Sequence, residues 1–319
     1  MVTHTELEAA ARLVYAAFPP TPQTIYPLLN KRAGCTVVVK HENHTPVGAF
    51  KVRGGIVYID WLRRTYPEVK GVVTATRGNH GQSIAVAARN AGLSATIFVP
   101  RGNSVEKNAA MRAQGGVLIE AGDDFQSAME ASIAYAAEHN LHRVPSFHPA
   151  LVAGVGTYSL ELLRAHPDLD AVYVPIGLGS GVCGMVGARA ALGHKTRVIG
   201  VVAEAAPAYH LSFRERRVIE APVATMADGV ACRKPDADAL AVILDHVDDV
   251  ITVDEASIAA AMRAWFSDTH NVAEGAAGVA LAGLLSQRAQ LAGKKAGVIF
   301  CGGNIDRDLF VSILGAEPS

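Results

Sequence analysis

Excess charge of either sign is missing from this chain. Its 319 residues carry 29 Lys and Arg against 30 Asp and Glu, a formal net charge of −1, with no block of like charges. That gives no footing for nucleic acid or an anionic membrane, so anionic ligands have to be met by local sites. Cysteine is scarce: Cys35, Cys183, Cys232 and Cys301 are scattered without a C-x-x-C pair, which argues against a zinc site and leaves no disulfide framework. Reduced thiols in a cytoplasm are the simplest account. Residues 1–10 are polar, without the basic start and apolar stretch of a signal peptide, and no apolar run reaches membrane-spanning length. Repeats, low-complexity tracts and linkers are absent as well. A cytoplasmic protein with no membrane or nucleic-acid partner is expected.

Half the residues are hydrophobic and 18% are charged, the composition of a compact enzyme-like chain. Its length suits one large or two intertwined domains. Apolar runs at residues 36–40, 71–76, 95–100, 117–121, 144–147, 171–176, 197–203, 250–253 and 296–301 read as strands. Helical periodicity is predicted over 6–18, from Lys51 onward, and over 83–92, 104–115, 124–140, 154–166, 180–192, 255–269 and 275–291. An extended segment is expected between the prolines at 19–22 and the first of these strands. Strands alternating with helices predict a mostly parallel α/β sheet, in two layers with a cleft between them.

Four loops at strand ends carry the chemistry, because open α/β sheets bind ligands outside the carboxyl ends of their strands. In H-E-N-H-T-P-V-G-A-F-K-V-R-G-G (41–55), Lys51 stands between Phe50 and Val52. Desolvation there favours a neutral, nucleophilic amine able to form a Schiff base; the alternative is an ordinary surface lysine. Thr76-Arg77-Gly78-Asn79-His80-Gly81-Gln82 opens into a helix, with glycines that admit a ligand and N–H groups that suit a carboxylate; the alternative is a tight turn. Gly177-Leu178-Gly179-Ser180-Gly181 enters another helix as a phosphate cradle. A dinucleotide fingerprint competes with that reading, but its third glycine would fall on Val182. The last strand ends Phe300-Cys301-Gly302-Gly303-Asn304, where Cys301 is either a small buried hydrophobe or a thiol nucleophile. The histidines at 41, 44, 139, 142 and 148 show no ligand spacing and are expected at the surface.

Taken together, from about Pro22 to Ile313, these stretches resemble the serine/threonine dehydratase group of fold-type II pyridoxal-phosphate enzymes, which also contains serine racemases. The resemblance implies a two-domain α/β fold like that of the tryptophan synthase β subunit. Residues 1–65 and 149–319 would form the large cofactor-binding domain, and 66–148 a small mobile domain inserted in it. Ala49-Phe50-Lys51-Val52-Arg53-Gly54 matches S-F-K-x-R-G, so Lys51 would carry pyridoxal 5'-phosphate as a Schiff base, with Phe50 against the ring. Thr76–Gln82 matches S-x-G-N-H-x-Q: Asn79 would meet the ring hydroxyl, while Thr76, Arg77, Gly78, Asn79 and His80 hold the substrate carboxylate. Gly177, Leu178, Gly179, Ser180 and Gly181 would bind the phosphate, Cys301 would face the pyridine nitrogen, and Glu274 would lie near the cofactor. The stretch 227–231 also matches.

Departures from the family pattern carry information too. Ala49 lacks the family's serine hydroxyl. Ser180 breaks an all-glycine run and is read as either a phosphate ligand or a helix cap. Racemases of this family place a serine base where this chain has Arg77, and a guanidinium cannot act as a base near neutral pH. Arg77 could bind a carboxylate bidentately or sit in an ion pair. Of a divalent-cation site found in some relatives, Glu204 and Ala208 match but His210 replaces an aspartate, so no metal is expected. The implied reaction is α,β-elimination of water from a small-molecule β-hydroxy amino acid of the serine, threonine, phenylserine or 3-hydroxyaspartate type. The products are a 2-oxo acid and ammonia. A β-replacement synthase of the same fold and a nicotinamide-dependent oxidoreductase are the alternatives, and a homodimer is common among such relatives.

Overall fold

The computed structural model describes residues 1–316; residues 317–319, which the expected large domain includes, lie outside it. The chain opens with α1 (His4–Ala17), β1 (Gln23–Ile25), α2 (Pro27–Ala33), β2 (Thr36–His41) and α3 (Lys51–Thr65). Next come β3 (Gly71–Ala75), α4 (Asn79–Asn90), β4 (Ser94–Val99), α5 (Val105–Ala113), β5 (Val117–Glu120), α6 (Phe125–Glu138) and β6 (His142–Arg143). It continues through α7 (Pro149–Ala165), β7 (Ala171–Pro175), α8 (Ser180–Ala191), β8 (Arg197–Ala203), α9 (Ala208–Glu215) and α10 (Ala237–His246). The remainder is β9 (Asp249–Val253), α11 (Glu255–Thr269), α12 (Gly275–Ser286), β10 (Lys295–Phe300) and α13 (Arg307–Gly315).

Two sheets result. One has the order β1-β2-β10-β7-β8-β9 and is parallel except at its edge strand β1. The other has the order β5-β4-β3-β6 and is wholly parallel. Strands with helices on both faces must be apolar throughout, and Val37–Val39, Val172 and Val198 are buried accordingly. Helix α12 is buried nearly all round, and the Trp265 indole N–H donates to the Ala277 carbonyl at 2.9 Å. Parallel strands point their carboxyl ends the same way, so β2, β10 and β7 of one sheet and β3 of the other deliver their loops to one cleft.

Several elements depart from the sequence-based expectation. The segment before β2 contains helix α2, because Pro27 occupies the first helical position, where its missing N–H costs nothing. Strand β6 lies at 142–143 rather than 144–147: Val144 N–H still reaches the Val73 carbonyl, but Pro145 has no N–H to extend the ladder. Helix α7 starts at Pro149, five residues before the expected start, capped by the His148 ring. Helix α4 starts at Asn79, so the asparagine belongs to the helix and not to the loop before it. Helices α9, α10 and α13 were not foreseen. His41, expected at the surface, is fully buried, with Tyr26 Oη 3.0 Å from its Nε2 and burial lowering its pKa to about 4. His142 and His148 are half-buried, while His44 and His139 are exposed.

Two arrangements fix helix α3, and with it Lys51. Gly154 lets α7 approach so closely that a Cβ there would lie 2.3 Å from the Arg53 carbonyl oxygen. Arg53 itself is buried in a four-charge cluster. Its Nε donates to Glu42 at 2.7 Å and its Nη1 to Glu161 at 2.6 Å, while Lys40 bonds Glu161 and Thr21. Charges without access to water require such partners.

Candidate active site

Lys51 is the first residue of α3, and its Nζ donates to Ser180 Oγ at 3.0 Å. The Nζ lies 4.9 Å from the centroid of the Phe50 ring. Phe50 is anchored in turn: its N–H donates to the Cys301 carbonyl at 3.0 Å, and Ala49 bridges to Gly302. Desolvation lowers the amine's pKa to about 8, against the opposing influence of Cys301 and Glu274. An amine of this kind is partly neutral, hence nucleophilic, near physiological pH. It is not an ordinary surface lysine.

Two helix N-termini flank it. In the loop before α8, Gly179 has φ 96°, and a Cβ on Gly177 would lie 2.4 Å from the Gly229 carbonyl oxygen, so the path requires glycine at both positions. The carbonyls of Leu178 and Gly181 accept hydrogen bonds from Tyr209 Oη at 3.1 Å and Tyr158 Oη at 3.2 Å. That leaves the loop's N–H groups as its free donors toward the cleft, the requirement for an anion seat. On the other side, α4 presents its first N–H groups at Asn79, His80 and Gly81. Gly78 N–H is taken by Thr76 Oγ1 at 2.9 Å, and Gly78 packs so tightly on Lys107 that a Cβ would lie 2.6 Å from its Cδ.

Below the amine lies a polar chain. Asn79 Nδ2 donates to both oxygens of Glu274, at 3.0 and 2.9 Å, and Asn79 Oδ1 accepts from Asn304 Nδ2 at 2.9 Å. The Cys301 thiol points at Glu274 Oε1 from 3.5 Å. Burial pushes the Glu274 carboxyl up, opposed by Lys107, and burial together with Glu274 pushes the Cys301 thiol well up. Cys301 is therefore a protonated, buried group rather than a nucleophile. Lys107 pairs with Asp228 and is nearly buried, and that pair holds its amine protonated despite desolvation. Burial takes His80 the other way, to a pKa of about 3, and its Nε2 is enclosed without a partner among the described residues. It is a neutral imidazole with one unused nitrogen.

The residues expected to hold cofactor and substrate line a single cleft of about 660 Å³: Phe50, Lys51, Thr76 to His80, Gly177 to Gly181, Glu274 and Cys301. The same cleft contains Lys107, Asp228 and Arg143, and Asn304 stands behind it; Asp228 and Asn304 fell within stretches noted in the sequence without a role of their own, while Lys107 and Arg143 carried no signal there. Lys107 reads there as one lysine of an ordinary amphipathic helix. Of the cation-site positions, Glu204 is exposed, and His210, which replaces the aspartate, donates from Nδ1–H to the Val250 carbonyl at 2.7 Å. Among the described residues no group of three His, Cys, Asp or Glu side chains is gathered for a metal ion.

The donor set suits pyridoxal phosphate: a glycine cradle at one helix N-terminus for a dianion, a desolvated amine beside it, and a second helix N-terminus for a carboxylate. A family model described as pyridoxal-phosphate dependent enzyme matches residues 14–302. The L-threonine ammonia-lyase of Geobacter sulfurreducens is 36% identical over 279 residues, covering 87% of this chain and 69% of that protein. The L-threo-3-hydroxyaspartate ammonia-lyase of Saccharomyces cerevisiae is 32% identical, with 93% and 91% covered. A solved pyridoxal 5'-phosphate-dependent aspartate racemase shares the fold with a TM-score of 0.90 at 29% identity, covering 96% of this chain and 97% of that one. The chain thus belongs to the pyridoxal-phosphate dependent enzyme family, within its serine/threonine dehydratase group of fold-type II enzymes.

Proposed function

We propose that the chain is a dehydratase that converts a β-hydroxy amino acid to a 2-oxo acid and ammonia, with Lys51 as its catalytic residue. The observation that carries this reading is the desolvated Lys51 amine, held by Ser180 Oγ between two helix N-termini. When bound, pyridoxal phosphate supplies a cationic imine conjugated to a pyridine ring, which stabilises the electron pair left at the substrate Cα. The N–H groups of residues 177–181 and the Ser180 hydroxyl would hold its phosphate, with Phe50 beside its ring. The first turn of α4, from Asn79 to Gly81, binds the substrate α-carboxylate. Glu274 and Asn304 set the orientation of the Asn79 amide.

Once the substrate amine has released it, Lys51 Nζ takes the α-proton. As an ammonium it then protonates the departing β-hydroxyl, and its proton leaves in the water formed. The released enamine tautomerises to an imine, whose hydrolysis consumes one water and yields the 2-oxo acid and ammonia. Neutral His80 adds no positive charge to the site and supplies no imidazolium to compete with Lys51. Cys301, protonated and aimed at Glu274, brings no anion to the pyridine nitrogen. That disfavours a long-lived carbanion and favours prompt expulsion of the β-group.

The strands between residues 71 and 143 form a sheet of their own, which supports reading 66–148 as a small mobile domain against 1–65 and 149–319. Across the two units, Ser104 Oγ donates to the Asp306 carboxylate, and Glu106 accepts from the Arg307 N–H at the start of α13. A cytoplasmic location is supported by four buried, unpaired cysteines, and among the described residues no helix is long and apolar enough to cross a membrane. Exposed Leu28, Phe266 and Val311 on the adjoining helices α2, α11 and α13 support a homodimer, which sedimentation equilibrium tests. The reaction is tested by incubating cofactor-loaded protein with L-serine and L-threonine. Equal release of 2-oxo acid and ammonia is expected. A product that keeps its amino group when a thiol is added would mark β-replacement instead.

A further inference from the structure

The acids lining the cleft are all engaged. Glu220 pairs with Lys234, Asp228 with Lys107, Asp236 caps α10 through the N–H groups of Asp238 and Ala239, and Glu274 holds Asn79. Two of its cations are not. Arg77 and Arg143 line the cleft, are exposed, and form no side-chain hydrogen bond or ion pair among the described residues. They stand at the carboxyl ends of adjacent parallel strands: Arg143 pairs in register with Val73 of β3, and Arg77 follows the end of that strand. Asp124 lines the same hollow as Arg77, and its Oδ1 is spent capping α6 through the Ser127 N–H at 2.8 Å and Oγ at 2.6 Å. Arg233 lies across the gap and leans on Glu220 at 3.8 Å.

Arg77 directly precedes the α4 N-terminus that takes the α-carboxylate. An anion bound by the guanidinium groups would therefore belong to the other end of the same substrate. Phe125, Met129 and Phe147 wall the space beside them. We infer that Arg77 and Arg143 are specificity-determining residues that hold a second carboxylate on the substrate side chain. The preferred substrates are then dicarboxylic 3-hydroxy amino acids, and the product is a 2-oxo dicarboxylate. Planar guanidinium forks suit this task, because they bind carboxylates bidentately and stay charged at any pH the enzyme meets. The inference rests on the dehydratase reading and adds the identity of the side chain.

The test compares kcat/KM for L-threo- and L-erythro-3-hydroxyaspartate with that for L-serine and L-threonine, in the cofactor-loaded wild type and in Arg77→Gln, Arg143→Gln and the double variant. Cofactor absorbance and melting temperature verify that each variant is folded and loaded. The wild type is expected to favour a 3-hydroxyaspartate by at least roughly tenfold. Each single variant should lower the ratio of dicarboxylate to serine turnover by roughly 10–100-fold, mainly through KM, as befits loss of a charge-assisted pair. A wild type that prefers serine or threonine, or ratios unchanged in the variants, overturns the inference and leaves the dehydratase standing. A coloured, loaded protein that releases no 2-oxo acid from any of the four substrates overturns both.

Discussion

Lys51 shows how far one residue can be set against its own stability. Its amine prefers water, yet the fold places it beside Phe50 and under Ser180, and its pKa falls from 10.5 to about 8. The native state then binds fewer protons than the unfolded chain between about pH 8 and 10.5. Stability therefore rises with pH across that window, and the penalty is at its fullest below it. Replacing the amine with an isosteric apolar chain removes the penalty. Apoprotein carrying Lys51→Met should be more stable than wild-type apoprotein at pH 7 by roughly 2–3 kcal/mol. In urea melts the gap should close as the pH approaches 10.5; a gap that is absent, or constant with pH, contradicts the desolvation account.

Among the elements, the loop before α8 is the one with least freedom. Gly179 sits at φ 96°, and a Cβ there would meet the Ala239 Cβ at 2.7 Å. Gly179→Ala should weaken pyridoxal phosphate binding at least roughly tenfold, since a left-handed residue with a side chain costs about 1–2 kcal/mol before any clash is relieved. A titration of cofactor absorbance measures this, and wild-type affinity would show that the loop does not need its glycine. Such loops were legible in the sequence because glycine at a strand end has few other uses. The Lys51 motif was legible for a similar reason: a lysine between apolar residues, at the start of a helix. The partners were not. Asn79 meets Glu274 across 195 positions and Asn304 across 225, and no local pattern records contacts made by folding alone. Lys107 and Arg143 have the sequence context of surface residues, and His41, expected outside, lies beneath Tyr26 and Phe300. Helix α2 was hidden because prolines at 19, 20 and 22 draw attention to an extended path, while Pro27 starts a helix instead of stopping one.

At the scale of the molecule, the cluster of Lys40, Glu42, Arg53 and Glu161 ties β2, α3 and α7 together with no access to water. Burial pushes the Glu161 carboxyl up, but Arg53 and Lys40 outweigh it and hold it below its ordinary range. Its ionised form therefore stabilises the fold above the unfolded carboxyl's pKa, and that contribution is lost as pH falls through the lowered value. Glu161→Gln leaves two buried cations facing a single acid. A loss of about 3–5 kcal/mol is expected at pH 7, with a shallower acid limb in the stability profile; a change within about 0.5 kcal/mol would mean that water reaches the cluster. The same cluster anchors the start of the helix that carries Lys51: the arginine two residues beyond it is the point where β2, α3 and α7 lock.

The role of Lys51 is tested most directly by finding where the cofactor is attached. Protein loaded with pyridoxal phosphate is reduced with borohydride, digested, and its peptides are weighed. The account expects one phosphopyridoxyl group per chain, on the peptide containing Lys51, and no fixed chromophore in Lys51→Ala. Label on another lysine, or a Lys51→Ala protein that still holds the chromophore and releases 2-oxo acid, would contradict it.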